Sequence, residues 1–374
     1  MKAKVRGHRW LAIFLAVLVL CTAMSGCGKT GVLLSRRMLL QSIGIDREGA
    51  SFLVTVHMAR VGEGEEEAVD VVTARGESVK DAMNNVTLQN GHEPLYSHNL
   101  LVLFGEKCAQ QGLGSVIDFF IRFAGSNGQM ELAQAEGEAR GLLTLKQEGK
   151  YIPAKDLLDL LESGKTNGKV PKIDLMGFSN MLAGQGSPYL PLFGVANDKP
   201  VAKGMACFQK DRFACKLIGD EARGALALMG EVETAAYTVA VPGVGNVTLD
   251  TESMESEIEP EITHDGLKFH MTLDCRAAIA SLDNAVQEEP GGGAYRAIGE
   301  RLQQAILEEA KAALQKCVET NADVFSLKRR LLLKDAGYWK AHHRAFEEDL
   351  GSASYTVDVK AAVLRVGQER TPTI

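Results

Sequence analysis

Hydrophobic and polar positions along the chain fall into two periods, and the switches between them mark the elements. From Ser42 to Ala59 the pattern predicts a hairpin: Ile43-Gly44-Ile45 precedes the turn residues Asp46-Arg47-Glu48-Gly49, and the β-branched and aromatic run Phe52-Leu53-Val54-Thr55-Val56 follows. Residues 62–67, Gly-Glu-Gly-Glu-Glu-Glu, predict a solvated acidic loop, and Val71-Val72-Thr73 a short strand. Ser78 then opens a helix with Asp81 three residues on, a variant of the capping box. Val79, Ala82, Met83 and Val86 give that helix one apolar face, and Gly91 closes it. Residues 100–104 read as a buried strand, and Glu106 to Phe120 as two short helical runs broken around Gly112 and Gly114. A further helix covers 154–161 after Pro153.

Gly184-Gln185-Gly186-Ser187-Pro188 is a cluster of breakers, and Pro191 to Pro200 reads as an extended linker, where the main domain boundary is expected. Beyond it, Met205–Phe208 and Phe213–Leu217 read as paired strands, and Arg223–Met229 as a short helix or strand. Strands recur at Tyr237–Val241, Val247–Leu249 and Leu267–Leu273. Residues 290–293, Pro-Gly-Gly-Gly, predict a flexible joint. The strongest helical period follows, from Ala294 to about Thr320, with Ile298, Leu302, Ala305, Ile306, Ala310, Ala313, Leu314 and Cys317 on one face. Tyr355 to Val366 closes the chain as a strand of alternating polarity. Strands and helices mix without regular βαβ alternation, which predicts an α+β fold rather than a doubly wound sheet.

The N-terminus has a different pattern. Lys2, Lys4, Arg6 and Arg9, with no acid among them, precede an apolar run from Leu11 to Met24, and small residues lead to Cys27. That is the layout of a secretory signal. The run is 14 residues long, short of the roughly 20 that a spanning helix needs. Met24-Ser25-Gly26-Cys27 has the small residues that a lipoprotein peptidase requires before a cysteine carrying diacylglycerol. Cys21 fits poorly, because Leu20 is too large for the cleavage position. Residues 1–26 are therefore expected to be a lipoprotein signal peptide, and Cys27 the lipidation site. Acyl burial contributes about 0.8 kcal/mol per CH₂, so two chains hold a protein where one does not.

Removing that signal leaves 348 of 374 residues and takes four positive charges, moving the formal charge from −7 to −11. An acidic body of this kind excludes nucleic acid and anionic headgroups as expected partners. Single cores stop growing near 250–300 residues, so a multi-domain chain is expected. The regions are 27–196, open to a further division in two, and 203–368. Five cysteines remain besides Cys27, at 108, 207, 215, 275 and 317, with no metal-ligand spacing among them. Cys207 and Cys215 flank the turn Lys210-Asp211-Arg212 and would face each other across a hairpin. Either a disulfide there or five buried thiols acting as small hydrophobes satisfies the pattern.

No segment reads as an active site. Gly164-Lys165-Thr166 matches the end of a phosphate loop, but Asp159 stands where the first glycine belongs, and a helix precedes it instead of a strand. A second such triplet, at Gly28, has Ala23 in that place. His342 and His343 are adjacent, whereas metal pairs on one helix face are four apart; a solvated helix flank is expected. His92 and His98 bracket a turn and are expected to be structural. Glu63, Glu65, Glu66 and Glu67 are a loop charge run, and no serine sits in a nucleophile elbow. The chain is thus read as non-enzymatic, with no catalytic, cofactor or metal residues.

The order of segments resembles the Ger(x)C family of spore germination lipoproteins, the C subunits of nutrient germinant receptors. The matching stretches begin with Ser42-Ile43-Gly44-Ile45-Asp46, Gly76-Glu77-Ser78 and residues 98–106. They continue with residues 152–158, Ser187-Pro188-Tyr189-Leu190-Pro191 and Gly204-Met205-Ala206-Cys207-Phe208. Gly219-Asp220-Glu221-Ala222-Arg223-Gly224, Asn321-Ala322-Asp323-Val324-Phe325, Trp339 and the last strand to Gly367 complete the set. The match runs collinearly through nearly all the mature chain. It implies several α+β domains, with mixed β-sheets and helices packed on them. It also implies a non-enzymatic subunit on the outer face of the inner spore membrane, with a multispan A subunit and a permease-like B subunit as partners. Two departures stand out. The Trp-Asp pair usual after the lipidated cysteine is replaced by Gly28-Lys29, and Ser35-Arg36-Arg37 stands near the usual Arg-Glu. Cys207 and Cys215 occupy positions that the family ordinarily keeps apolar, which favours buried thiols. The competing reading is an extracytoplasmic solute-binding lipoprotein of a transporter, which requires two α/β lobes around a cleft. The irregular strand order argues against it. A cell-envelope hydrolase would need a nucleophile or metal constellation that the sequence does not display.

Overall fold

The computed structural model describes residues 37–59, 69–91, 93–123, 126–145, 153–184, 186–264, 266–282 and 292–364. All but Arg37 belong to one unit, Met38–Ile374. Cys27 and its signal, the acidic loop at 62–67 and His92 lie outside the described residues. So do the first two residues of the joint expected at 290–293.

Alternation of side chains builds the first sheet. β1 (Arg37–Glu48) and β2 (Ser51–Ala59) form the expected hairpin, with Gly49 at φ 63° in its turn. β3 (Val69–Gly76) pairs antiparallel with β2. α1 (Val79–Asn90) starts at Ser78, whose hydroxyl accepts the Asp81 N–H at 3.1 Å, and buries the four apolar residues its period predicts. Gly91 ends it at φ 70°, the left-handed cap that glycine adopts without strain. The short strand β4 (Glu93–Leu95) pairs with β1.

β5 (Leu101–Phe104) then lies parallel to β1. The helical stretch is broken where its glycines predict, into α2 (Glu106–Gln111) and α3 (Gly114–Arg122). β6 (Glu131–Ala135) continues the parallel run, followed by α4 (Ala139–Leu143), α5 (Pro153–Thr166) and α6 (Leu175–Ala183). β5 is uninterruptedly apolar because it is covered on both faces. Val102 and Phe104 enter one core with α1, α3 and α6, while Leu101 and Leu103 enter another with α4 and α5.

β7 (Tyr189–Ala196), β8 (Lys199–Gln209) and β9 (Arg212–Ile218) complete the sheet in the order β3-β2-β1-β5-β6-β7-β8-β9. Here the structure corrects the sequence reading. Residues 191–200 are not a linker but the antiparallel β7–β8 hairpin, with Val195 opposite Pro200. Asn197 and Asp198 form its turn at φ 51° and 58°, the left-handed pair that a two-residue hairpin requires. The two prolines masked that signal. The sheet therefore runs on across position 200. β8 serves both sides of it: Ala206 and Phe208 pack into the first core, Met205 and Cys207 into the core of the second half.

That second core lies on a four-stranded mixed sheet, β10 (Ala236–Val241), β11 (Gly245–Thr263), β12 (Gly266–Leu282) and β13 (Ser354–Leu364), in that order. β11 and β12 are 19 and 17 residues long, far beyond the short strands expected there. Glu252, Glu255, Glu257 and Glu259 obscured the pattern; all four are exposed on the solvent side while Met254 and Ile258 are buried. Residues 223–229 are helical, within α7 (Asp220–Met229). α8 (Gly292–Glu319) takes Gly292 and Gly293 of the expected joint as its first turn, and its predicted face is buried apart from half-buried Ala305. α9 (Leu327–Lys334) and α10 (Ala336–Glu348) pack residues into the same core. Two mixed sheets with helices packed on them make this a multi-domain α+β fold. Among the described residues no helix is long and apolar enough to cross a membrane.

Candidate functional site

Segments that carry the family resemblance take part in three joints. Asp46, expected in the hairpin turn, lies inside β1 opposite Leu53, buried, and its carboxylate accepts the N–H groups of Ala139 at 2.8 Å and Arg140 at 2.9 Å. Those are two of the orphan donors at the start of α4. Burial raises the Asp46 pKa, and the two backbone donors oppose the rise. A Cβ on Gly105 would lie 1.9 Å from the Asp46 carboxylate, so residues 42–46 and 98–106 interlock only with glycine there.

The second joint links Ser187 to Asp323. The Ser187 N–H donates to the Asp323 carbonyl at 2.8 Å, and the Asp323 N–H donates to Ser187 Oγ at 2.8 Å. The Asp323 carboxylate is fully buried and accepts the N–H groups of Leu327 at 2.7 Å and Lys328 at 2.9 Å, capping α9. Burial pushes its pKa up to about 7 against those same donors.

The third joint is α7 on α8. A Cβ on Gly224 would meet the Glu309 carbonyl oxygen at 2.3 Å, so the helices touch backbone to backbone. Beside it, Arg223 donates from Nε to Glu309 Oε2 at 2.9 Å and from Nη2 to Oε1, and from Nη1 to the Ala236 carbonyl at 2.8 Å. Its guanidinium lies 4.0 Å from the Tyr237 ring centroid. Burial holds the Glu309 pKa up, with Arg223 opposing.

Between α5, α6 and α7 lies an open cleft of about 580 Å³ lined by Glu131, Lys165, Lys172, Asp174, Glu231 and Glu233. Lys165 pairs with Glu233 at 2.7 Å, and Lys172 with Glu162 at 3.0 Å and Glu131 at 3.7 Å. Glu231 accepts the Tyr189 hydroxyl. Burial raises the pKa of both Glu131 and Glu231. The Asp174 carboxylate accepts the Gly177 N–H at 2.7 Å, capping α6. Acids outnumber lysines here, and the Lys165–Glu233 and Tyr189–Glu231 contacts link the two halves.

Gly164-Lys165-Thr166 belongs to this seam. It ends α5, its lysine pairs with Glu233, and the Thr166 carbonyl accepts the Thr234 hydroxyl at 2.6 Å. His342 and His343 sit on α10 with their Nδ1 atoms against the Tyr338 and Trp339 carbonyls, at 3.0 and 3.2 Å, the first ring exposed and the second half-buried. His98 is exposed in a short turn at 96–98. All five cysteines of the described residues are buried and free. Cys207 does stand opposite Cys215 across the β8–β9 hairpin, as the turn predicts. Cys317 joins them from α8, so the three Sγ atoms lie within 4.8 Å of one another. Sequence spacing gives no sign of the third partner. The only available signal was that Cys317 falls on the buried face of the strongest helix.

Comparison with known proteins places the chain in a family. Residues 31–195 match the family described as spore germination protein N-terminal domain. Residues 203–367 match that described as spore germination B3/GerAC like, C-terminal. Spore germination protein B3 of Bacillus subtilis (strain 168) is 22% identical over 305 residues, covering 79% of this chain and 80% of that protein. The putative spore germination protein YfkR of the same strain is 21% identical over 341 residues, covering 85% and 87%. The crystal structure of the GerBC protein superposes with a TM-score of 0.59 at 16% identity, over 86% of this chain and 97% of that one. The two family matches together take in most of the sequence and both halves of the fold. This chain belongs to the Ger(x)C family of spore germination proteins.

Proposed function

We propose that the chain is the lipid-anchored, non-enzymatic C subunit of a nutrient germinant receptor, acting beside multispan A and permease-like B subunits on the outer face of the inner spore membrane. The observation that carries the reading is positional. The family matches occupy 31–195 and 203–367, leaving before them a signal-like segment that ends in Cys27. Acyl chains on that thiol would hold an acidic soluble body against membrane partners and raise its effective concentration there. The paired charges of the central cleft and the three joints suit a rigid body that transmits contact between subunits.

Two measurements test this. Replacing Cys27 with Ser (Cys27→Ser) should move the protein from the membrane to the soluble fraction; unchanged membrane retention would count against the anchor. Deleting the gene should abolish germination with one class of nutrient, and a full germination response to every nutrient would remove the receptor assignment.

A further inference from the structure

Cys207, Cys215 and Cys317 come from three separate elements and converge inside the second core. Cys207 and Cys215 are directly opposed on β8 and β9, and Cys317 points in from the last turn of α8. Cys207 and Cys317 are fully buried, and Cys215 is 7% exposed on the terminal strand of the large sheet. Three apolar side chains would fill this volume as well. What marks the cluster is its geometry: a strand pair and a helix bring three Sγ atoms within 4.8 Å of one another.

We propose that Cys207, Cys215 and Cys317 form a binding site for a divalent thiophilic d10 cation of the zinc class. Soft thiolates select such ions, which prefer a roughly tetrahedral ligand set, and three protein ligands leave the fourth position for a water. Binding releases one proton from each thiol, forms three metal–sulfur bonds, and leaves the site with a single net negative charge. Lys316, next to Cys317 in α8, pairs with Glu221 at 2.7 Å. A monovalent ion would leave two negative charges in the core, which is why the divalent class is favoured. The Thr320 hydroxyl donates to the Lys316 carbonyl at 2.7 Å and is not counted among the ligands. Cys275 and Cys108, also buried, are not part of this group.

The test uses the full-length chain purified in reducing, metal-free buffer, titrated with Zn²⁺ and, for its ultraviolet charge-transfer band, Cd²⁺. The expected result is one equivalent bound, a thiolate-to-cadmium band, and a Zn²⁺-dependent rise in Tm. Cys317→Ser and Cys215→Ser should lose the band and the Tm shift, while Cys275→Ser keeps both. X-ray absorption of the zinc-loaded wild-type chain needs no variant and should give three sulfur neighbours at about 2.3 Å. Fewer than three sulfurs, a band retained in both site variants, or no binding would overturn the assignment. So would a disulfide between any two of the three in the natively isolated protein.

Discussion

Ser187 and Asp323 hold each other by two reciprocal hydrogen bonds, each 2.8 Å long, across 136 residues of sequence. One residue precedes β7 in the large sheet and the other precedes α9 in the second half. The bond pair therefore fixes where the two halves meet, and Asp323 passes the constraint on by capping α9 with its carboxylate.

Replacing Ser187 with alanine should leave the Asp323 N–H buried without its acceptor. That costs about 1–3 kcal/mol and should lower Tm by several degrees. A thermal melt of Ser187→Ala superimposable on wild type would show the joint to be incidental.

Asp323 should make stability depend on pH. Its folded pKa is raised to about 7 from a usual value of 3.8, so between those limits the folded state holds a proton that the unfolded state has lost. Its contribution is then fully present below about pH 4 and is lost as pH rises towards 7. The slope is up to about 1.4 kcal/mol per pH unit. Asp323→Asn should flatten that fall in denaturant titrations between pH 4.5 and 7.5. An equally steep fall in the variant would place the proton elsewhere.

The α7–α8 contact predicts opposite outcomes for two glycines. Gly224→Ala drives a methyl against the Glu309 backbone and should cost about 1–3 kcal/mol by overpacking, or more if the helices cannot part. Gly141, within α4, has nothing within 4 Å of an added Cβ, so Gly141→Ala should be neutral or stabilising by up to about 1 kcal/mol. Equal melting temperatures for the two variants would contradict the backbone contact.

Arg223 and Glu309 form a nearly buried pair, with side chains 7% and 12% exposed. Removing Arg223 should destabilise by about 3–5 kcal/mol, because Glu309 is left as an uncompensated charge; removing Glu309 should cost less, since Arg223 keeps Asp220 at 3.1 Å. The double variant Arg223→Met with Glu309→Leu should be less damaged than Arg223→Met alone. Additive losses in a double-mutant cycle would mean the two side chains act independently.

Local rules carried a good deal of this fold. Ser78, the Val79–Val86 face and Gly91 specify α1 through contacts no more than a few residues apart, and the structure places that helix where they predict. The β1–β2 and β8–β9 hairpins were legible for the same reason. The β7–β8 hairpin was not, because Pro191 and Pro200 outweighed the Asn197-Asp198 turn. β11 was cut short by its glutamates, which alternate with buried residues over a length that no short window captures. The resemblance named the family segments, but nothing in their order said that Ser187 would reach Asp323 or that Asp46 would sit against Gly105.

The amino-acid sequence by itself determined the export-like N-terminus, the acidic body, most element identities and the family, since each depends on composition, period or short motifs. The tertiary structure alone decided which residues became neighbours: the continuous sheet across residue 200, the three joints and the meeting of Cys207, Cys215 and Cys317. The joints and the cysteine meeting depend on chain closure over a hundred residues or so, and the free energy that selects them comes from packing whole faces together. No local pattern records those, whereas the sheet across residue 200 had a local turn signal that its prolines outweighed.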